Sequence, residues 1–301
     1  TPIDKVLLTK LKSNWPELRL HLIKAVDQDY GVYEGSTFKQ SKFEHWVSTQ
    51  AIPWPRTDLG KLRLDEATFR QMSKSHTQVA ALHELRIILA QMRTLKLHVG
   101  TDGRNRTLLS PFASKTGRNQ PSTTKFIFGN SAWLRSLIKP QKGFGLAYVD
   151  FSSQEIAIAA ALSGDPKMWQ AYNSGDPYMA FAIQAGLAPE GATKSSHKAI
   201  RNRCKQIMLG VGYGMGAEAL ALAAGIHRVE ANGLLNNHRM TYRIFWKWAE
   251  ANQMRALMGE PLATPLGWKL QLRNDPDPND RSLLNWPMQS TGADIMRLAA
   301  C

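Results

Sequence analysis

Between Asp65 and about Leu97 the apolar side chains Val79, Leu82, Leu85, Leu89 and Met92 recur on one face, a spacing that predicts a helix. Arg86, Arg93 and Lys96 fall together on another face, which reads either as a solvated basic surface or as one that meets a polyanion. Upstream, short apolar pieces mixed with Trp15, Tyr30, Tyr33, Phe38, Phe43 and Trp46 end at Ile52-Pro-Trp-Pro55, and the paired prolines mark a boundary. The pattern changes at Leu146 to Val149, a short apolar run of β-forming residues after Gly143 and Gly145 that predicts a buried strand ending at Asp150. Ser152 and Glu155 then stand at capping-box spacing, and Ile156, Ala159, Ala160 and Leu162 continue at helical period to Ser163-Gly164. Met168, Trp169 and Tyr172 predict a further helix, broken at Asn173 to Tyr178. Helical pattern returns from Ser196 to about Gly212, Thr264 to Leu272 reads as a turn and strand, and a polar loop from Asn274 to Asp280 precedes a last helix from Arg281.

Three of these elements carry chemistry. A carboxylate where a strand hands over to a helix is rigidly placed to hold a metal ion, although an Asp there is also an ordinary turn cap. Arg201, Lys205, Leu209 and Tyr213 stand four apart and form one helical stripe. Two cations followed by an apolar residue and a phenol match a nucleoside triphosphate in order, the Arg as a fork and the Lys as a compact charge. Arg and Lys at this spacing also occur on plain exposed helices. Arg281, Asn285 and Gln289 are again four apart, and such side chains meet minor-groove acceptors or backbone oxygens, or simply form a polar helix face.

Charge sharpens this picture. The 301 residues carry a formal net charge of +14, which favours a polyanionic partner. From Arg86 to Lys142 eleven Lys or Arg face a single acid, Asp102. With 43% hydrophobic residues the chain buries a large core and is long enough for two or three lobes. Only Cys204 and Cys301 are present, so neither a disulfide framework nor a structural zinc site is expected, and a reducing cytoplasm fits. No apolar run reaches membrane-spanning length and no signal peptide is evident, so no membrane partner is expected. Residues 1 to about 55 hold no carboxylate pattern of a proofreading nuclease; Asp27, Asp29 and Glu34 read as a solvated loop. Thr1 and Cys301 both read as cut ends.

The segment Asp150-Phe-Ser-Ser-Gln154-Glu155 resembles motif A of the family A DNA polymerases, the bacterial DNA polymerase I type. Arg201-x3-Lys205-x7-Tyr213-Gly214 resembles motif B, and Arg281-x3-Asn285-x-Pro287-x-Gln289-x-Thr291-x-Ala293-Asp294 resembles the DNA-tracking palm segment, its Pro287 break included. Thr116-Gly117-Arg118 resembles the family's segment just upstream of motif A, and Thr57 to Leu97 resembles its thumb.

This resemblance implies an α+β, right-hand polymerase architecture of thumb, palm and helical fingers, with the palm incomplete at the C-terminus. The expected division is a pre-thumb region over 1–56, thumb 57–125, palm 126–165 with motif A, fingers 166–261 with motif B, and truncated palm 262–301. Asp150 and the Phe151 carbonyl are implied as metal donors, with two Mg²⁺ ions in a complete enzyme. Gln154, Glu155, Tyr178, Arg201, Lys205, Leu209 and Tyr213 are implied on the nucleotide, with Lys205 helping to protonate the leaving pyrophosphate and Glu155 as the steric gate against a ribose 2′-hydroxyl. Arg86, Arg93, Lys96, Thr116, Arg118, Arg281, Asn285 and Gln289 are implied on primer-template DNA.

There are departures. Tyr178 stands where relatives carry His, Leu209 where they place Phe or Tyr, and Ala157 where many carry Arg. None of the eight His is followed by Asp, so the His-Asp of motif C is missing and these 301 residues by themselves are expected not to extend a primer. A non-catalytic nucleic-acid-binding paralogue is the alternative; a single-subunit RNA polymerase is disfavoured by Glu155. An upstream nuclease or primase domain remains open.

Overall fold

The computed structural model describes residues 1–94, 97–110, 113–121, 124–212, 214–272 and 280–301, and it divides into two compact units. The first comprises Thr1–Leu109 and Pro121–Tyr148, the second Ser110–Gln120 and Val149–Cys301. Residues 1–56 therefore share a unit with the segment that follows them, and the Ile52 to Pro55 boundary is internal to it.

In the first unit, α1 (Lys5–Asp27) leads into a hairpin of β1 (Tyr33–Glu34) and β2 (Thr37–Phe38), then α2 (Gln40–Thr49), α3 (Glu66–Ser75) and α4 (Ala80–Thr94). The helix expected over Asp65 to Leu97 is thus two helices. Asp65 starts the first by accepting from Thr68 N at 2.9 Å, and at His76 the backbone turns extended before the second begins. The predicted apolar face is real where it packs: Val79, Leu82 and Leu85 are buried, while Leu89 and Met92 are half-buried. Asp27 is not a solvated loop residue, because its carboxylate accepts from Val32 N and Tyr33 N at 2.7 and 3.0 Å and so shapes the hairpin. Asn105, 1% exposed, donates to the His98 and Lys125 carbonyls and accepts from Ile127 N, tying three loops together.

The second unit is built of α5 (Gln154–Ser163), α6 (Pro166–Asn173), α7 (Pro177–Gln184), α8 (Lys198–Gly212), α9 (Ala217–Ala224), α10 (Arg228–Thr241), α11 (Arg243–Leu257) and α12 (Asp280–Ala300). Between the last two helices lies a hairpin of β3 (Leu262–Ala263) and β4 (Lys269–Leu270). Strand among the described residues is confined to these two-residue pairs, so the α+β expectation gives way to a mostly helical fold. Leu146 to Val149 form no strand and are exposed, Val149 at 87%. A strand needs a neighbour to complete its hydrogen-bond ladder, and no described residue pairs with this segment. Helix α12 runs through Pro287 without a break. The ring costs one backbone hydrogen bond, but Trp286 and Met288 beside it are buried to 1% and 2% and hold the helix by packing.

His238 sits at the centre of an aromatic cluster of Phe181, Tyr242, Phe245 and Trp246. Trp246 Nε1 donates to its Nδ1 at 3.0 Å, which places the imidazole proton on Nε2. Burial, with a smaller contribution from Arg239, pushes its pKa down to about 3. A His whose folded pKa lies below the unfolded value stabilises the fold above about pH 6.5, and that stability falls as pH drops toward 3. Between pH 7 and pH 5 the loss is expected to be on the order of 2 kcal/mol. Urea titrations at both pH values check this; a His238→Phe variant with the same difference between them would sink it.

Candidate functional site

Helix α5 begins unusually. Its N-cap is Ser153, not Ser152, in the left-handed region at φ 49°, and no side chain caps it. The expected capping box is therefore absent, and the strained Ser153 costs roughly 1–2 kcal/mol. Gln154 and Glu155 turn instead to α12. Gln154 Nε2 donates to the Gly292 carbonyl at 3.3 Å, and Gln289 Nε2 donates to Glu155 Oε1. A Cβ built at Gly292 would lie 3.4 Å from Ile158 Cδ1 and 3.5 Å from Gln154 Oε1, so this is where the two helices approach closely.

Gln289 also accepts, through Oε1, from Arg118 Nη1. Three residues that the sequence had placed in separate motifs are thus joined through one amide, 6% exposed. An amide offers a donor and an acceptor at the same end, so Gln can stand between a guanidinium and a carboxylate without charge of its own. Arg118, Gln154, Glu155, Gln289 and Gly292 line a cleft of about 220 Å³ together with Arg297.

The turn that carries Arg118 is locally defined. Gly117 N donates to the Ser114 carbonyl at 2.9 Å, and the Ser114 and Thr116 hydroxyls lie 2.8 Å apart. Gly117 has φ 70°, a conformation that disfavours any side chain. The turn's partners were not legible in the sequence. Trp286 Nε1 donates to the Lys115 carbonyl at 2.8 Å, Trp268 Nε1 reaches the same oxygen at 3.4 Å, and Arg297 Nη2 donates to the Gly117 carbonyl.

On α8, Arg201 Nε donates to Asp176 Oδ2 at 2.5 Å, and Asp176 also caps α7. The Tyr178 ring lies beneath both cations of the stripe, 5.3 Å from Arg201 Cζ and 5.8 Å from Lys205 Nζ. Lys205 is exposed, while Leu209 is half-buried and lines a small cavity with Glu155, His238, Phe245 and Asn285. Asn285 Oδ1 is buried without a hydrogen-bond partner.

The structure does not assemble every expected residue. Arg86 is no surface cation: its guanidinium stacks 4.3 Å from the Phe69 ring and 4.7 Å from the Phe38 ring and donates to the Leu64 carbonyl at 3.0 Å. Burial lowers its pKa, and it does not share an exposed face with Arg93, which is exposed. Asp150 and Phe151 are exposed, and the described residues contain no group of three or more His, Cys, Asp or Glu able to hold a metal ion. The donors at hand do not fit a complete Mg²⁺ site. Asp294 is engaged elsewhere, accepting from Thr264 Oγ1 at 2.6 Å and pairing with Arg297. Lys96, Tyr213 and the side chain of Arg281 lie outside the described residues.

The fold is that of a polymerase domain: it aligns with the POL domain of Pol1 from M. smegmatis, solved in complex with DNA primer-template and dNTP. The TM-score is 0.72 at 21% identity, over 99% of this chain and 55% of the other. The sequence profile of DNA polymerase family A matches residues 50–301, and the chain belongs to that family. It is 27% identical to DNA polymerase I of Synechocystis sp., covering 78% of this chain and 27% of that protein. It is 26% identical to the DNA polymerase of Mycobacterium phage D29 over 79% of this chain and 40% of the relative. DNA polymerase I of Aquifex aeolicus is likewise 26% identical, over 81% and 43%. The chain thus spans well under half the length of these relatives. Among the described residues no helix is long and apolar enough to cross a membrane.

Proposed function

We propose that this chain is part of a template-directed DNA polymerase that adds deoxynucleotides to a primer 3′-end. The observation that carries the reading is the joining of Arg118, Gln289 and Glu155, which lie as far as 171 residues apart in sequence. In this reading Arg118 and Gln289 hold the primer end, Thr116 and Asn285 support the same strand, and Glu155 closes the space a ribose 2′-hydroxyl would need. Gln154 holds α5 against α12, so Glu155 is presented from a fixed backbone. Arg201 forks a phosphate once it leaves Asp176, Lys205 adds a compact charge beside it, and Tyr178 steadies both cations. Leu209 offers an apolar surface to the base.

Family A chemistry draws on two divalent ions that clamp the reacting oxygens. Asp150 and the Phe151 carbonyl would hold only part of such a site. A polypeptide of these 301 residues is accordingly expected to bind primer-template and triphosphate but not to extend the primer, and measurable extension would overturn that expectation.

The test is Lys205→Ala. Triphosphate binding is expected to weaken about tenfold, while primer-template binding, followed by fluorescence anisotropy, stays within about twofold. Equal losses in both would mean that the stripe on α8 is structural.

A further inference from the structure

Trp286, Gln289, Ala293 and Arg297 stand at intervals of three, four and four on α12, which at 3.6 residues per turn puts them on one stripe. That stripe faces the turn of residues 114–118. Trp286 and Arg297, three turns apart, donate to the carbonyl oxygens of Lys115 and Gly117, and Gln289 between them takes the Arg118 guanidinium. Ala293 is the small residue of the four. Trp268, from the turn between β3 and β4, gives the Lys115 oxygen a second donor. A carbonyl has two lone pairs, so both indoles are accommodated on one atom. A Cβ at Gly117 would stand 3.4 Å from Trp268 Cε2 and 3.6 Å from Arg297 Nη1, so the turn lies directly against the side chains that grip it.

We infer that Trp286 and Arg297 are positioning residues: they clamp the 114–118 turn by its backbone so that Arg118 is already aimed before a primer end arrives. The inference rests on the proposed role of Arg118 at the primer. Its physical content is preorganisation. The turn is a short loop whose own hydrogen bonds do not fix the Arg118 side chain, and ordering it during binding would weaken affinity. Side chains that donate to carbonyl oxygens hold a backbone whatever its sequence, whereas the Arg118–Gln289 contact alone would let the turn pivot.

The test combines two variants, Trp286→Phe and Arg297→Met, with Arg118→Ala. Phenylalanine keeps a ring in the core and removes the indole donor; methionine keeps length and removes the guanidinium. Primer-template affinity is measured at low salt, where the excess positive charge keeps binding within range. Each variant is expected to weaken binding about three- to tenfold, the worth of one or two hydrogen bonds. In the Arg118→Ala background the same changes are expected to matter less than about twofold, because the residue they aim is gone. Amide exchange over residues 114–120 should accelerate in both variants. Arg297→Lys, which retains a donor, should recover part of the loss.

Equal losses with and without Arg118 would overturn the positioning role in favour of a merely structural one. Unchanged affinity together with unchanged exchange would overturn the clamp itself. Should Trp286→Phe fail to fold, Arg297→Met decides alone, since that side chain is 35% exposed and outside the core. If the unmodified chain does not bind primer-template, it is the functional reading that fails. Exchange then decides the clamp separately: faster exchange supports it and unchanged exchange sinks it.

Discussion

Asp165→Ala is expected to destabilise the second unit by roughly 3–5 kcal/mol, a large fraction of the stability of an ordinary domain. Asp165 is 2% exposed and accepts three backbone N–H groups. Its Oδ1 takes Lys167 N at 3.0 Å and Met168 N at 3.1 Å, which starts α6, and its Oδ2 takes Phe245 N at 3.1 Å, which anchors the first turn of α11. Alanine leaves all three donors unpaired in the interior, at about 1–3 kcal/mol each before relaxation. Asp165→Asn keeps an oxygen for α6 but turns an NH₂ toward Phe245 N or loses the α6 pair, so it should fall between wild type and alanine. Urea unfolding gives the order directly. An alanine variant within about 1 kcal/mol of wild type would show that water replaces the carboxylate and that Asp165 does not tie the two helices.

Gln289→Glu is expected to be the most damaging isosteric change in the cleft. The new carboxylate still accepts from Arg118, but it meets Glu155 where an N–H had donated. Two like charges about 4 Å apart at the effective dielectric of a protein surface repel by roughly 1–4 kcal/mol, added to the hydrogen bond lost. Gln289→Met removes both contacts without repulsion and should cost less stability than Glu. For primer-template binding, both variants should lose at least about tenfold, because Arg118 is tied to an anion in one and released in the other. The comparison is made by thermal melts and anisotropy on the same samples. If Glu melts at or above Met, the Gln289–Glu155 contact is not what orders the start of α5, and the reading of Glu155 as a gate held from α12 goes with it.

The elements whose logic is local were legible. The stripe of Arg201, Lys205 and Leu209 lies on one helix, α8, because helical neighbours are set by backbone periodicity alone. The same holds for Asn285 and Gln289 on α12, and for Val79, Leu82 and Leu85 on the apolar side of α4 and the turn before it. Motif spacing carried the family, which the profile match over residues 50–301 bears out. Where the reading went astray, a partner far along the chain decided the outcome. Leu146 to Val149 has strand composition but no described strand beside it, and composition cannot supply a ladder. Ser152 and Glu155 have capping-box spacing, yet Glu155 is taken by Gln289, 134 residues away. Arg86 matches a basic helical face until two phenylalanines from β2 and α3 close around it.

By itself, then, the sequence determined the family, the helices that carry the cations and the excess of positive charge, and it singled out Arg118, Gln154, Glu155 and Gln289 among the residues that line the cleft. Only the tertiary structure decided which of them meet: Gln289 between Arg118 and Glu155, Asp176 on Arg201, and Trp286 and Arg297 on the turn of Gly117. The reason is physical. Contacts three or four residues apart are imposed by backbone geometry, whereas a hydrogen bond across 171 or 180 residues exists only when packing of the whole unit brings its donor and acceptor together.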